Sequence, residues 1–358
     1  MPPSVPRIEI KDPLVGMELE GRYHILEKIG AGAMSSVYLA DQMEGGPRVA
    51  IKVLQDHLVS DADQKERFER EARALFAMEH PNILRVFDFG VVRGSPFLVM
   101  EHLEGRTLDR FVEEALPDPD TGVSLVKQIL SGLASAHAQG VLHRDLKAEN
   151  VFVTTGPDGN PLAKLLDFGL VKFTDDDRWG EGKALTAYGE VFGTPAYMSP
   201  EQCTGAPVDA RSDVYGMGAV LFEMLTGVWP YMEETRVEML RAHLMAPIPK
   251  LADVRPELVF RPELETVIRT ALAKEQGERF ADAGRMLAAL DRVPSPVAAP
   301  VGDAQGFAAT PQIGLGTPPA FAEAPAWGGT ATPWLLLALM GGGLFLLLAA
   351  VAAVFLLL

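Results

Sequence analysis

The sequence HRDLKAEN occupies residues 143–150, and DFG follows at residues 167–169, 22 residues after Asp145. Upstream of both, VAIK occupies residues 49–52 and ends an apolar run on a lysine. Each motif is short enough to occur by chance, but the three in this order and at this spacing form a very specific set. The set joins aspartate, asparagine and lysine side chains, which favours a polar functional site over a purely structural protein.

A glycine-rich turn precedes the lysine of VAIK. In residues 23–54, two β-rich runs flank Gly30 and Gly32, and a third run contains Lys52. Because glycine has no Cβ, such a turn lets backbone N–H groups approach phosphate oxygens, although Gly-Ala-Gly alone is also typical of an ordinary hairpin. A P-loop would need Gly-Lys-Ser/Thr, and a dinucleotide-binding fold would need a helix where residues 37–39 continue a strand pattern. The lysine twenty residues after Gly32 therefore favours a different phosphate-binding arrangement.

The sequence KERFEREARALFAMEH, residues 65–80, predicts an amphipathic helix. Its apolar face contains Phe68, Ala72, Leu75 and Phe76. Glu71 lies one turn before Leu75, close enough to this face to point inward. We therefore expect Glu71 to form an ion pair with Lys52.

With these motifs, about residues 23–292 resemble the eukaryotic-type protein kinases. Three further segments agree with that family, namely GTPAYMSPE at 193–201, DVYG at 213–216 and ERF at 278–280. The variant MSPEQ, together with the apolar C-terminus, is similar to the bacterial membrane-anchored (Hanks-type) serine/threonine kinases. The resemblance implies an α+β, bilobal fold: an N-lobe of antiparallel sheet plus one helix, and a mainly α-helical C-lobe.

The resemblance also implies roles for the polar residues of the motifs. Lys52, fixed by Glu71, would hold the α- and β-phosphates of ATP. Asp145 would accept the proton of the substrate hydroxyl, and Lys147 would steady the γ-phosphate.

The same resemblance implies a metal cofactor. Asn150 and Asp167 would hold Mg²⁺, for which Mn²⁺ can substitute, because these cations prefer carboxylate and amide oxygens.

The nucleotide site implied by the family combines the glycine turn, apolar residues above and below adenine, and a backbone hinge after a gatekeeper. These positions are Ile29, Gly30, Gly32, Val37, Ala50, Lys52, Glu71, Met100 (the gatekeeper), Glu101, Leu103 and Phe152.

Serine or threonine is the expected phosphate acceptor, because Lys147 and the Gly-Thr-Pro at 193–195 match that branch of the family. Arg144 directly precedes Asp145, a feature of relatives that are switched on by phosphate in the segment between DFG and SPE. Thr186 is the expected autophosphorylation site, since a phosphate there could pair with the arginine.

Structural roles follow from the same resemblance. We expect His143 to be a buried, satisfied histidine and Asp213 to brace the HRD loop. Glu201 is expected to pair with Arg279. The other histidines, His137 included, are expected to be packing or surface residues.

Composition excludes several classes of function. Lys+Arg 32 against Asp+Glu 48 gives a net charge of −16, so the chain is a poor binder of nucleic acid. The single cysteine, Cys203, excludes a disulfide framework and a cysteine-based metal site, and it fits a reducing compartment.

The two ends of the chain differ from the middle. Residues 1–22 are predicted as an N-terminal extension without a signal peptide, and residues 293–333, rich in proline, alanine and glycine, as a flexible linker. Residues 334–358 are uncharged and as a helix would span about 37 Å, enough to cross a bilayer core of about 30 Å. The expected location is the cell membrane, single-pass, with the kinase domain in the cytoplasm, where ATP is present.

Two alternatives stay open at this point. A pseudokinase scaffold would bind nucleotide or a partner without transfer, but Lys52, Asp145, Asn150 and Asp167 are all present. A purely structural membrane protein would not need these polar residues. The expected partners are ATP, protein substrates and the lipid bilayer through residues 334–358, and dimerisation is left open.

Overall fold

The structure, a computed structural model, describes residues 12–32, 35–54, 62–168 and 195–297. Gly169, the predicted phosphosite Thr186, nearly all of the predicted linker and the whole of 334–358 lie outside these ranges. Within them, no helix combines the length and the apolar character needed to cross a membrane.

The N-lobe is a six-stranded antiparallel sheet in the order β1-β2-β3-β4-β6-β5, with helix α1 packed beside it. The strands alternate their side chains between two faces. Val49, Ile51 and Val53 of the fully buried strand β4 join one hydrophobic cluster, and Leu54 joins the cluster that contains α1. The elements are β1 (Glu18–Leu19), β2 (Tyr23–Ala31), β3 (Ser35–Gln42), β4 (Val49–Leu54), α1 (Ala62–Ala77), β5 (Val86–Val92) and β6 (Ser95–Glu101).

The described part of the predicted N-terminal extension contributes the two-residue strand β1 to this sheet. Leu19 pairs with Tyr23 across the β1–β2 ladder and is buried. The Asp12 carboxylate accepts a hydrogen bond from the Tyr38 hydroxyl at 3.1 Å and lies 3.3 Å from the Lys28 ammonium. Residues 12–22 therefore fold as part of the N-lobe.

The C-lobe is mainly helical and contains a small sheet with the strand order β7-β8-β9. Its longest helices, α3 and α5, pack against each other and against α9. The elements are β7 (Arg106–Thr107), α2 (Leu108–Glu114), α3 (Pro119–Ala138), β8 (Val151–Thr155), β9 (Pro161–Leu165), α4 (Pro200–Thr204), α5 (Ala210–Thr226), α6 (Arg236–Met245), α7 (Leu251–Val254), α8 (Pro262–Ala271) and α9 (Ala283–Leu290).

Helix α5 is the central element of the C-lobe core, because every residue from Ser212 to Thr226 is buried. The Asp209 side chain caps its N-terminus, and Gly227 ends it in the left-handed conformation (φ 78°). Gly218 allows a close approach of α8, because a Cβ there would lie 2.8 Å from the Ala271 Cβ. The predicted bilobal α+β fold is confirmed for the described residues.

Candidate active site

The loop at residues 143–150, here called the HRD loop, connects α3 to β8 and is held from below by Asp213 of α5. The Asp213 carboxylate accepts hydrogen bonds from the backbone N–H groups of His143 and Arg144, both at 2.8 Å. Asp213 is buried, so these bonds are shielded from water. The predicted brace is confirmed, and it fixes the backbone immediately before Asp145.

His143 joins the HRD loop to the DFG motif. Its ring is fully buried, and its Nε2–H donates to the carbonyl oxygen of Leu166 at 2.8 Å. The ring centroid lies 4.8 Å from that of Phe168. Burial lowers the pKa of His143, which keeps the ring neutral. His143 is thus the buried, satisfied histidine that the sequence predicts.

Asp145, Lys147 and Asn150 converge at the end of the HRD loop. The Asn150 amide nitrogen donates to Asp145 Oδ2 at 2.9 Å and to the Asp145 carbonyl oxygen at 2.8 Å. Lys147 Nζ lies 3.3 Å from the same Oδ2. The Asp145 carboxylate is therefore oriented by one amide and one ammonium group, in a place where a hydroxyl group could donate to it.

Lys52 lies on β4 and contacts Asp167 across the cleft between the lobes. Its Nζ is 2.5 Å from Asp167 Oδ1, and only 9% of Lys52 is exposed. Among the ion pairs of the described residues, Lys52 pairs with Asp167 and not with Glu71, whose carboxylate lies 3.7 Å from Arg70. The expected Lys52–Glu71 pair is therefore absent from the described ion pairs of Lys52.

Asn150 and Asp167 fit a divalent cation in the chemistry of their donor atoms. Because the Asn150 nitrogen donates to Asp145, the amide is oriented and its Oδ1 is the atom that can coordinate. Among the described residues, no group of three or more His, Cys, Asp and Glu side chains could hold a metal. A hard cation bound here would complete its shell with phosphate and water oxygens.

The register of the sheet places the predicted nucleotide residues on one face. Val37 pairs with Gly30 on β2 and with Lys52 on β4, and Ala50 pairs with Met100 on β6. Ala50 and Lys52 are two residues apart, so they point to the same face as their partners. The strand positions therefore align the glycine turn, the lysine and the gatekeeper.

The remaining nucleotide positions lie around this face. Ile29 is exposed, and Leu103 and Phe152 are half-buried, Phe152 on β8 of the opposite lobe. The Gly32 N–H donates to the Ser35 carbonyl at 2.8 Å and closes the glycine turn. The Oε1 atom of the Glu101 carboxylate accepts from Lys164 Nζ at 2.7 Å and from the Arg85 N–H at 2.8 Å.

Glu201 and Arg279 form the predicted ion pair. The guanidinium contacts both carboxylate oxygens, at 2.7 and 2.9 Å, and both side chains are buried. Burial alone would raise the pKa of Glu201, but the hydrogen bonds from Arg279 and Ser212 outweigh it and lower the pKa to about 2. The pair fixes α4 against the turn that precedes α9.

Two contacts were not predicted from the sequence. His137 Nε2 lies 2.9 Å from Asp213 Oδ2, so this histidine supports the brace instead of merely packing. The Tyr197 hydroxyl donates to the buried Glu223 carboxylate at 2.7 Å, and burial raises the pKa of Glu223 to about 7. No local motif marks either residue, since each partner lies on another element.

Comparison with known proteins agrees with this geometry. The family model described as "Protein kinase domain" matches residues 23–289. The chain is 38% identical over 280 residues to "Serine/threonine-protein kinase Pkn1" of Myxococcus xanthus, an alignment that covers 78% of this chain and 39% of that protein.

Solved structures of kinases are similar as well. The kinase domain of PknI from Mycobacterium tuberculosis matches with a TM-score of 0.61 and 26% identity, over 78% of this chain and 98% of that chain. The crystal structure of Rad53 1–466 in complex with AMP-PNP matches with a TM-score of 0.60 and 25% identity, over 74% of this chain and 64% of that chain. The chain spans only 39% of the length of Pkn1, so the similarity concerns the kinase domain.

Proposed function

The chain belongs to the protein kinase domain family, and we propose that it is a serine/threonine protein kinase that transfers the γ-phosphoryl group of ATP to protein hydroxyls. The observation that carries this proposal is the convergence of Asp145, Lys147 and Asn150 opposite the Lys52–Asp167 contact. A scaffold without transfer activity would not need an oriented carboxylate beside a lysine. The AMP-PNP complex of Rad53 supports a nucleotide as the ligand.

In the proposed reaction, the substrate oxygen bonds to the γ-phosphorus while the bond to the bridging oxygen of ADP breaks. The hydroxyl proton passes to the Asp145 carboxylate, which Asn150 holds in place. Lys147, 3.3 Å from that carboxylate, neutralises charge on the transferring group. Lys52 would move from Asp167 to the α- and β-phosphates.

The divalent cation, which we propose is Mg²⁺, would be held by Asn150 Oδ1 and Asp167 and would neutralise phosphate charge. Mn²⁺ has the same preference for oxygen ligands and can substitute. In the structure, Lys52 contacts Oδ1 of the Asp167 carboxylate.

Serine and threonine are the proposed acceptors. The names of the relatives support this choice, Pkn1 being called a serine/threonine-protein kinase. Within the chain, Lys147 two residues after Asp145 supports it. Arg144 and Thr186 are the proposed regulatory pair, with phosphate on Thr186.

The test of the function is phosphate transfer by the full-length protein to a generic acceptor protein with Mg²⁺ and ATP. Asp145→Asn keeps the shape but removes the proton acceptor, so the rate should fall by about a hundredfold or more. Asp253→Asn, the same change on the exposed side of α7, is the matched control and should leave the rate unchanged. A wild-type rate in Asp145→Asn would exclude the assignment, and acid hydrolysis with phosphoamino-acid analysis should yield phosphoserine or phosphothreonine but not phosphotyrosine.

We also propose that residues 334–358 anchor the protein in the cell membrane, with the kinase domain in the cytoplasm and residues 293–333 as the linker. The supporting observation is the uncharged sequence of the last 25 residues. Full-length protein should sediment with membranes and resist extraction by carbonate. A chain ending at Val297, which keeps the contact between Val297 and Phe260, should stay in the supernatant. Full-length protein in the soluble fraction would contradict the anchor.

A further inference from the structure

We propose that Gln202 is a positioning residue for Asp145, acting through the peptide group that joins Arg144 to Asp145. The inference rests on the proposed kinase function and extends it to a residue outside the HRD and DFG motifs. Gln202 lies in the first turn of α4, 57 residues after Asp145, and its side chain is partly buried against the HRD loop.

The Gln202 amide connects two backbone segments. Its Nε2 donates to the Arg144 carbonyl oxygen at 2.8 Å, and its Oε1 accepts from the Ser199 N–H at 3.0 Å. A carbonyl oxygen only accepts and an N–H only donates, so the orientation of the amide is fixed by its partners. Gln202 therefore needs both a donor and an acceptor at this position.

The Arg144 backbone is in a conformation that needs support. Its φ is 63°, in the left-handed region that residues with a Cβ rarely adopt. Asp213 accepts from its N–H at 2.8 Å, and Gln202 donates to its carbonyl at 2.8 Å. Arg144 is thus held from α5 on one side and from α4 on the other.

The peptide group between Arg144 and Asp145 determines the direction in which Asp145 leaves the loop. This group is planar, so a bond to its oxygen also sets its N–H. That N–H, of Asp145, lies 3.4 Å from His143 Nδ1, while the oxygen is bound by Gln202. Rotation of the plane would turn Asp145 away from Asn150 and Lys147.

Helix α4 is a rigid support for this contact. Glu201, the neighbour of Gln202, forms the buried bidentate pair with Arg279. Ser199 caps the helix, its hydroxyl accepting from the Gln202 N–H at 3.4 Å. The position of α4 is therefore transmitted to the HRD loop through one side-chain amide.

A helix cap alone would explain the Ser199 contact but not the Arg144 contact, and two substitutions separate them. Gln202→Glu keeps an acceptor for the Ser199 N–H but has no donor for the Arg144 carbonyl at neutral pH. Ser199→Ala removes the capping hydroxyl and its 3.2 Å bond to Gln202 Oε1, but it leaves the bond from the Ser199 N–H and the bond from Gln202 to the Arg144 carbonyl. The pair is matched because both changes lie in the same turn of α4.

In full-length protein, Gln202→Glu should lower kcat about five- to tenfold, the loss expected when one hydrogen bond that orients the proton acceptor is removed. The KM for ATP should change less than about twofold, because the hydrogen bonds of the Gln202 side chain go to Ser199 and Arg144, outside the predicted nucleotide positions. Ser199→Ala should lower the melting temperature but leave kcat unchanged. An unchanged kcat in Gln202→Glu, or equal losses of kcat in both variants, would overturn the proposal.

A second measurement does not depend on phosphate transfer. Hydrogen–deuterium exchange of the backbone amides at residues 143–147 should be faster in Gln202→Glu than in wild type and Ser199→Ala. If the wild-type protein transfers no phosphate, the proposed function fails while this measurement still tests the positioning. Equal exchange in all three proteins would overturn the positioning role itself.

Discussion

His243 of α6 is a buried histidine that the proposed reaction does not use. Its Nδ1 lies 2.8 Å from the Tyr215 hydroxyl, and its ring centroid is 5.0 Å from that of Tyr231. Burial, followed by the nearby Lys274 ammonium, lowers its pKa from 6.5 to about 3. The folded protein therefore holds His243 neutral over the whole physiological pH range.

His243 makes the free energy of unfolding decrease as the pH falls. Between pH 6.5 and about pH 3 the unfolded chain binds a proton at residue 243 that the folded chain does not bind. The contribution of His243 is complete above pH 6.5 and is lost as the pH falls, by about 1.4 kcal/mol per pH unit. His243→Gln keeps an acceptor for Tyr215 but cannot be protonated.

We expect the free energy of unfolding in urea to fall more steeply from pH 6.5 to pH 4.5 in wild type than in His243→Gln. Glu223, with its raised pKa of about 7, contributes a slope of the opposite sign, but it is present in both proteins and cancels in the difference. Parallel pH profiles for the two proteins would show that His243 is not the group responsible.

For single residues, the sequence predicts which side chains belong to the site better than it predicts which side chains contact each other. The motif order gives Asp145, Asn150 and Asp167, and the structure brings them to one cleft. The Lys52–Glu71 pair depends on where α1 lies relative to β4, which no local pattern determines. His137 is likewise unpredictable, because its partner Asp213 lies on another helix, 76 residues away.

The first strand and its preceding turn are elements that the family resemblance leaves out. Asp12 accepts from the Tyr38 hydroxyl at 3.1 Å, and Lys28 lies beside both. Burial alone would raise the pKa of Asp12, but hydrogen bonds from the Leu14 N–H and from Tyr38 and Lys28 lower it. The contacts join the N-terminus to β2 and β3, the two strands that flank the glycine turn.

A double-mutant cycle measures this connection. Asp12→Ala and Tyr38→Phe should each destabilise the N-lobe, and together by less than the sum, with a coupling of about 0.5–1 kcal/mol in urea unfolding. Tyr23→Phe is the matched control, because its hydroxyl donates to Asp88 instead. Full additivity of Asp12→Ala with Tyr38→Phe would contradict the contact.

The buried face of helix α1 is narrower than the amphipathic pattern predicts. Phe68, Ala72 and Leu75 are buried as predicted, but Phe76 is 54% exposed. Phe76 follows Leu75 directly and is turned by about 100° from it, so the apolar face was predicted one residue too wide. The periodicity of the apolar residues predicts that the helix exists and which face is buried. It does not predict where the buried face ends.

At the scale of the whole C-lobe, the Glu201–Arg279 pair joins segments 78 residues apart. The Arg279 side chain is fully buried and also donates to the carbonyl oxygens of Ala273, Lys274 and Arg211. Five directed bonds from one guanidinium tie α4 to the turn before α9. The motif match predicts the pair, but only the structure supplies its carbonyl partners.

Arg279→Met would leave the Glu201 carboxylate buried without its cation. We expect the free energy of unfolding to fall by about 3–5 kcal/mol, measured by urea denaturation. Arg110→Met is the matched control, since Arg110 pairs with Glu113 one turn away on α2, where both side chains are exposed, and should cost about 0.5 kcal/mol or less. Similar losses in both variants would mean that the buried pair has no special role.

Helix α5 has a consequence for the design of chimaeras. One end, at Asp213, holds the HRD loop, and ten residues later Glu223 binds Tyr197 of the turn that precedes α4, about 15 Å along the helix axis. Both contacts are made by one continuous, buried helix, so substitutions at the protein surface do not change the distance between them. A hybrid protein that exchanges the N-lobe at the hinge would preserve this spacing, because α5 would come whole from one kinase. A hybrid whose junction lies inside α5 would take Asp213 from one kinase and Glu223 from another. The HRD loop and the turn that contains Tyr197 would then lose their alignment.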